Sequence, residues 1–195
     1  MLKENIEKVL ENFDKAKKEK FAAHPIAAHL RRDFPNELKD LTSQQDKYKF
    51  VGSAGRGNWT FTPWVAVLNL KITDSVRKGF YVVYLFRGDS KGVYLSINQG
   101  TIKLLNEKGD IQTEQILKSK ADQLRKRLDK KFPELTKSLL KEIDLGEIQA
   151  RYGTFYEAGN VYAKYYSLEN MPSNKELTED FKEFMELYDS ISSRK

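Results

Sequence analysis

Leu2, Ile6, Val9, Leu10 and Phe13 recur at spacings of three and four, which places them on one stripe of an amphipathic helix running to about Lys20. After Pro25 a shorter helix is expected over Ile26 to Arg32. It should end before Phe34-Pro35, because a residue preceding proline avoids the helical region. Positions 36 to 46 are polar and read as loop. From Lys47 the period changes. Tyr48 to Gly52, Trp64 to Leu70, Gly79 to Arg87 and Gly92 to Asn98 are short runs rich in aromatic and β-branched residues, the composition of strands. Gly88-Asp89-Ser90-Lys91 suits the turn of an antiparallel hairpin. The run Phe80 to Phe86 is apolar on both faces, so a central strand is expected there.

Helical spacing returns at Ile116, Leu117, Ala121, Leu124 and Leu128, with Thr113 as the expected cap and Pro133 starting a second piece through about Ile143. Val161 to Tyr166 reads as a last strand. Ser173 and Glu176 form a capping-box pattern ahead of Leu177, Phe181, Phe184, Met185 and Tyr188. Tyr165, Tyr166 and Phe155 are expected in the core. The fold class that follows is α+β: a strongly curved, mainly antiparallel sheet of about five or six strands with helices packed around it. One domain spanning 1–195 is expected. It divides into N-terminal helices (1–45), a strand-rich core (46–100), a helical insertion (101–148) and a final strand with a C-terminal helix (149–195).

Composition narrows the chemistry. With 39% hydrophobic and 12% aromatic residues the chain is globular, and with no cysteine it holds neither disulfides nor thiolate metal sites. The acid-containing start lacks the apolar core of a signal peptide, and no run approaches the ~20 apolar residues of a membrane span, so a cytoplasmic protein is expected. The net charge of +6 is modest, but Lys118, Lys120, Arg125, Lys126, Arg127, Lys130 and Lys131 stand against only Asp122 and Asp129. That run reads either as a solvated helix face or as a footprint for phosphates. His24 and His29 are poorly spaced for metal binding and read as ordinary surface or core residues. Glu142, Asp144 and Glu147 look like a helix end, so no metal site, cofactor or catalytic residue is expected.

The most informative stretch runs from Gly52 to Trp64. It has glycines at 52, 55 and 57, followed by two tryptophans and a strand. It lacks the Gly-Lys-Ser/Thr ending of a Walker loop and leads into a strand where phosphate loops need a helix N-terminus. One reading is a flexible loop that presents Arg56 beside aromatic rings suited to stacking on a base. The other makes Trp59 and Trp64 core residues, with Arg56 capping the loop.

The segment from Phe50 to Gly100, containing GSAGRGNWTFTPWVAVLNLKITDS, KGFYVVYLF and GVYLSINQG, resembles the N-terminal domain of McrB-type restriction proteins. A second block, Arg151-Tyr-Gly-Thr-Phe-Tyr156, resembles the same family. The resemblance implies a DNA-binding domain, not an enzyme, that flips a modified base into an aromatic and apolar pocket. The mark it implies is most directly 5-methylcytosine. Transferred by position, the pocket would comprise Arg56, Trp64, Leu85 and Tyr152. Ser53, Gly55, Gly57, Asn58, Lys118, Lys120, Arg125, Lys126 and Arg151 would contact the backbone or shape the loop. The implied partners are double-stranded DNA carrying the mark and, in a longer parent chain, an AAA+ GTPase domain served by a separate nuclease subunit. In the best-known pattern an aromatic residue stands between the loop glycines where this chain has Arg56, so a reader of another modification, a non-specific nucleic-acid binder and a small Mg-dependent nuclease stay open.

Overall fold

The computed structural model describes residues 1–146 and 151–192, with the side chains of Arg151 and Tyr152 outside that description. Five strands form one antiparallel sheet in sequential order: β1 (Tyr48–Ser53), β2 (Trp64–Asn69), β3 (Phe80–Phe86), β4 (Gly92–Gln99) and β5 (Tyr162–Ser167). The fold is α+β, with helices packed around the sheet. β3 is central and its residues from Tyr81 to Phe86 are buried, as expected of a run that is apolar on both faces.

Helix α1 (Leu2–Ala16) buries the stripe Leu2, Ile6, Val9, Leu10 and Phe13. The next helical stretch departs from expectation. α2 (Pro25–Ala28) passes through a π-helical turn (His29–Asp33) directly into α3 (Phe34–Asp40), so Pro35 does not end it and part of the expected loop at 36–46 is helical. The amide of Phe34 donates to the carbonyl of His29, five residues back. That wider turn accommodates the proline ring, which would otherwise collide with the carbonyl four residues earlier, and Pro35 has no amide to leave unpaired.

Between β4 and β5 lie α4 (Ile102–Lys108), α5 (Asp110–Lys131), α6 (Pro133–Thr136) and α7 (Arg151–Gly159). Thr113 does not cap α5, which starts earlier at Gly109-Asp110 and buries Thr113 inside its first turns. The helix expected from Pro133 to Ile143 stops at Thr136. Leu140 instead pairs as a bridge with Ala163 and covers part of the outer edge of β5. α8 (Asn174–Ser192) opens with the expected box: the Ser173 amide donates to Glu176 (2.8 Å) and the Glu176 amide to the Ser173 hydroxyl (3.2 Å).

Strand register assigns the two faces. Gly52, Val65, Tyr84, Leu95 and Lys164 share one face. There the Tyr84 ring lies 5.4 Å from that of Phe34 and 6.3 Å from that of Phe181, while Lys164 pairs with Asp180 and Glu183 of α8. Ser53, Trp64, Leu85, Tyr94 and Tyr165 share the other face. Towards its far end this second face meets α7 through a buried polar chain. Ser96 donates to Asn160 (2.7 Å) and Asn98 to the Tyr156 carbonyl (2.9 Å).

Candidate nucleic-acid interface

Residues 54–63 join β1 to β2 at the sheet end that also carries the β3–β4 hairpin. The approach to this loop requires glycine. A β-carbon on Gly52 would sit 1.8 Å from the Leu30 carbonyl oxygen, so only glycine lets β1 lie against the π turn. Gly55 adopts φ +118°, and a β-carbon there would meet the Asn58 carbonyl at 2.0 Å. The Ser53 hydroxyl accepts from the Gly55 amide (3.1 Å), and the Thr60 amide donates to the Ala54 carbonyl (2.9 Å), closing the loop on itself.

Two side chains anchor the loop to the helices. The Trp59 indole donates to the Glu19 carbonyl (3.0 Å) and meets Phe13, Phe21 and His24 edge to face, with centroids 5.0–5.5 Å apart. Arg31 donates to the Gly55 carbonyl (2.9 Å) while lying over the Phe21 ring. Trp59 is therefore a structural residue. Arg56 is not a cap: with Gly57 and Asn58 it forms the exposed tip, and its guanidinium has no partner among the described residues.

Trp64 and Leu85 are directly opposite one another on neighbouring strands and share a face. Trp64 is half-buried and its indole N–H makes no hydrogen bond among the described residues, whereas Leu85 is 1% exposed. The row continues into Tyr94 and Tyr165, whose rings lie 4.8 Å apart. Tyr165 is 38% exposed and so is not the core residue expected, because β5 ends the sheet and the ring faces outward beyond Tyr94. Tyr166 and Phe155 are buried as expected. Tyr94 and Tyr165 were absent from the sequence-derived site; alternation along β4 and β5 assigns them faces, but only register puts them in line with Trp64. Tyr152 and Arg151 belong to α7, but their side chains lie outside the described residues.

A cleft of about 620 Å³ opens beside the loop, lined by Lys17, Phe61, Arg87, Asp89, Lys91 and Asp144 among others. Phe61 is half exposed there. Arg87 is bound by Asp89 (2.8 Å) and Asp144 (3.1 Å), which keep the guanidinium charged at any ordinary pH. The Arg87 contact draws the Asp89 carboxyl below the usual aspartate range. The Gly146 amide, followed by Arg87, does the same for Asp144. Asp144 thus serves this ion pair, and no group of histidines and carboxylates suited to a metal ion occurs among the described residues. His29 is buried, and His24 caps α2 by accepting from the Ile26 amide (3.2 Å).

The basic run on α5 is not brought to this loop. The Leu117 carbonyl accepts from Gln99 at the opposite end of β4, and Arg125 binds Asn160 and Val161, the two residues that lead into β5. The length of β4 alone separates these points from the loop by roughly 25 Å. Lys118 pairs with Glu114 (2.6 Å), whereas Lys120 and Lys126 are exposed. Arg125 is committed to the fold. It donates to the carbonyls of Val161 (2.8 Å), Lys141 (2.7 Å) and Asn160 (2.8 Å), and it pairs with Asp122 (2.7 Å).

No helix among the described residues is long and apolar enough to cross a membrane. A comparison with curated proteins gives no match. The sequence profile described as MrcB-like, N-terminal domain, matches residues 8–193, nearly the whole chain. The chain therefore belongs to the MrcB-like N-terminal domain family.

Proposed function

We propose that this domain is a DNA-binding targeting module that accepts a modified base, 5-methylcytosine, flipped out of the duplex onto the face carrying Trp64 and Leu85. Family membership supports the DNA-binding role in a McrB-type restriction system. The observation that carries the finer reading is the pairing of a half-buried tryptophan, its N–H unbonded, with an apolar leucine directly across the strand, next to a loop whose arginine is unpartnered. Trp64 supplies a flat face for stacking, and Leu85 an apolar wall against which a 5-methyl group loses its water. Tyr152, on α7, is proposed as the opposing face. Arg56 is positioned to donate to a base edge or a phosphate, and Ser53, Gly55, Gly57 and Asn58 shape the loop. The hydrolysis of GTP and the cutting of DNA belong, in this reading, to an AAA+ domain in a longer parent chain and to a separate nuclease subunit, and this domain performs neither.

The test is titration of duplexes carrying cytosine, 5-methylcytosine and other cytosine and adenine modifications, with a fluorescent base beside the mark to report flipping. Tighter binding of one modified duplex, with flipping, is expected. Trp64→Ala should weaken that duplex by ~5- to 150-fold, the range of one lost base–aromatic stack. Equal binding of all duplexes, or normal flipping by Trp64→Ala, would overturn the reading.

A further inference from the structure

The unpartnered cations at the loop end of the sheet do not stop at Arg56. A second cleft, about 570 Å³ in volume, runs between the α2–α3 helical stretch and β1, lined among others by Arg31, Arg32, Lys39, Asp46, Tyr48 and Phe50. It adjoins the glycine loop, because Arg31 is the residue whose guanidinium holds the Gly55 carbonyl. The side chains of Arg32 and Lys39 are exposed and have no ion-pair or hydrogen-bond partner among the described residues, so the lining carries three cations against the single carboxylate of Asp46. Several other cationic side chains near the sheet are already matched. Arg87 is bound to two aspartates, Lys47 to Asp189, Lys164 to Asp180 and Glu183, and Arg125 to Asp122 and three carbonyls. Cations that face a cleft without carboxylate partners are suited to an anionic ligand that supplies the missing charge.

Resting on the reading above, we propose that this cleft carries the phosphate backbone of the duplex strand next to the flipped base, with Arg32 and Lys39 as phosphate contacts. The geometry fits a repeating anion. Arg32 and Lys39 are seven residues apart on one helical stretch, a rise of about 10 Å, enough for the two side chains to reach separate phosphates of one strand. Arg31 acts as a positioning residue that ties this track to the loop, so the backbone and the pocket share one register. β1 is an edge strand, and the track along it leaves the Trp64 face open to the base.

The experiment measures the affinity of the domain for the preferred modified duplex and its unmodified counterpart over a range of salt concentrations. Arg32→Gln/Lys39→Gln should weaken both duplexes in parallel by ~10-fold and reduce the salt slope by about two, one for each lost phosphate. The ratio of modified to unmodified affinity should not change. Arg32→Lys should keep the slope, and Lys118→Gln/Lys120→Gln on α5 should alter neither affinity nor slope. A thermal melt confirms that the exposed substitutions leave the fold intact. An unchanged slope in Arg32→Gln/Lys39→Gln, or an equal loss of slope in the α5 variant, overturns the proposal. Failure of the pocket reading is separately visible as a wild-type ratio near one, in which case the slope still decides the cleft.

Discussion

The glycine loop and helix α5 both attract attention in the sequence as places where DNA could be held, yet their arginines are used differently. On α5, Arg125 is turned inward with four of its five N–H donors taken by Val161, Lys141, Asn160 and Asp122, and Lys118 is paired with its neighbour Glu114, while Lys120 and Lys126 stay exposed. At the loop, the groups that hold the fold are the indole of Trp59, the guanidinium of Arg31 and the backbone, and Arg56 at the tip, with Arg32 and Lys39 in the adjoining cleft, is left without a side-chain partner among the described residues. The difference teaches that a count of cations along a chain measures potential, not availability. A guanidinium already saturated by carbonyls has nothing to offer a phosphate, whereas a few isolated cations on a surface retain their full charge-assisted bonding capacity.

Three substitutions press on this contrast. The largest expected effect is at the loop. Gly52→Ala forces a β-carbon into the Leu30 carbonyl, so β1 must separate from the π turn, at a cost of roughly 4 kcal/mol or more by chemical denaturation. A wild-type unfolding curve would show that the close approach does not matter. Next comes Arg125→Ala, which leaves the Val161, Asn160 and Lys141 carbonyls without their donor and should cost about 3 kcal/mol. DNA affinity measured below the melting transition should be nearly unchanged. Loss of DNA affinity with unchanged stability would return α5 to the interface and break the comparison.

The smallest effect concerns the hairpin beside the loop. Asp89 and Asp144 both have lowered pKa values, through Arg87 and the backbone. A carboxyl depressed in the folded state stabilises above its unfolded pKa, near 3.9, and that contribution is lost as pH falls through the folded value. Asp89→Asn should therefore lower the melting temperature at pH 7, and the two proteins should converge as pH falls below the ordinary aspartate range and through the lowered folded value. A constant difference across that window would mean that Asp89 acts through packing and not through its charge.

Much of the architecture was legible in the sequence because burial leaves a period. Phe80 to Phe86 announced a central strand by being apolar at every position, and α1 announced its inner face by spacings of three and four. The Ser173–Glu176 box was equally legible, since its hydrogen bonds span only three residues. Local rules failed where distant contacts overrode them. Pro35 reads as a helix end, but the burial of Leu30, Phe34 and Leu38 favours continuing the helix, and a π turn makes that possible. Leu140 has the neighbours of a helical residue, yet the exposed edge of β5 claims its backbone. Within the candidate site, the loop and Trp64 were legible because three glycines so close together are rare without a geometric demand. The division of labour between Trp59 and Trp64 was not, since both are followed by Thr or Val and neither period nor composition separates them.

The sequence by itself determined the strands, the turn chemistry of the hairpin, the glycine loop and the family to which the chain belongs, because these depend on residues close together along the chain. Only the tertiary structure decided that Trp64 faces Leu85, Tyr94 and Tyr165 across four strands, that Trp59 packs on α1, and that Arg32 and Lys39 line one cleft beside the glycine loop while the exposed lysines of α5 lie away from it. The physical reason is shared by all three. Register and the saturation of hydrogen-bonding groups are set by partners far away in sequence, and a charge is available to a ligand only where folding has left it unmatched.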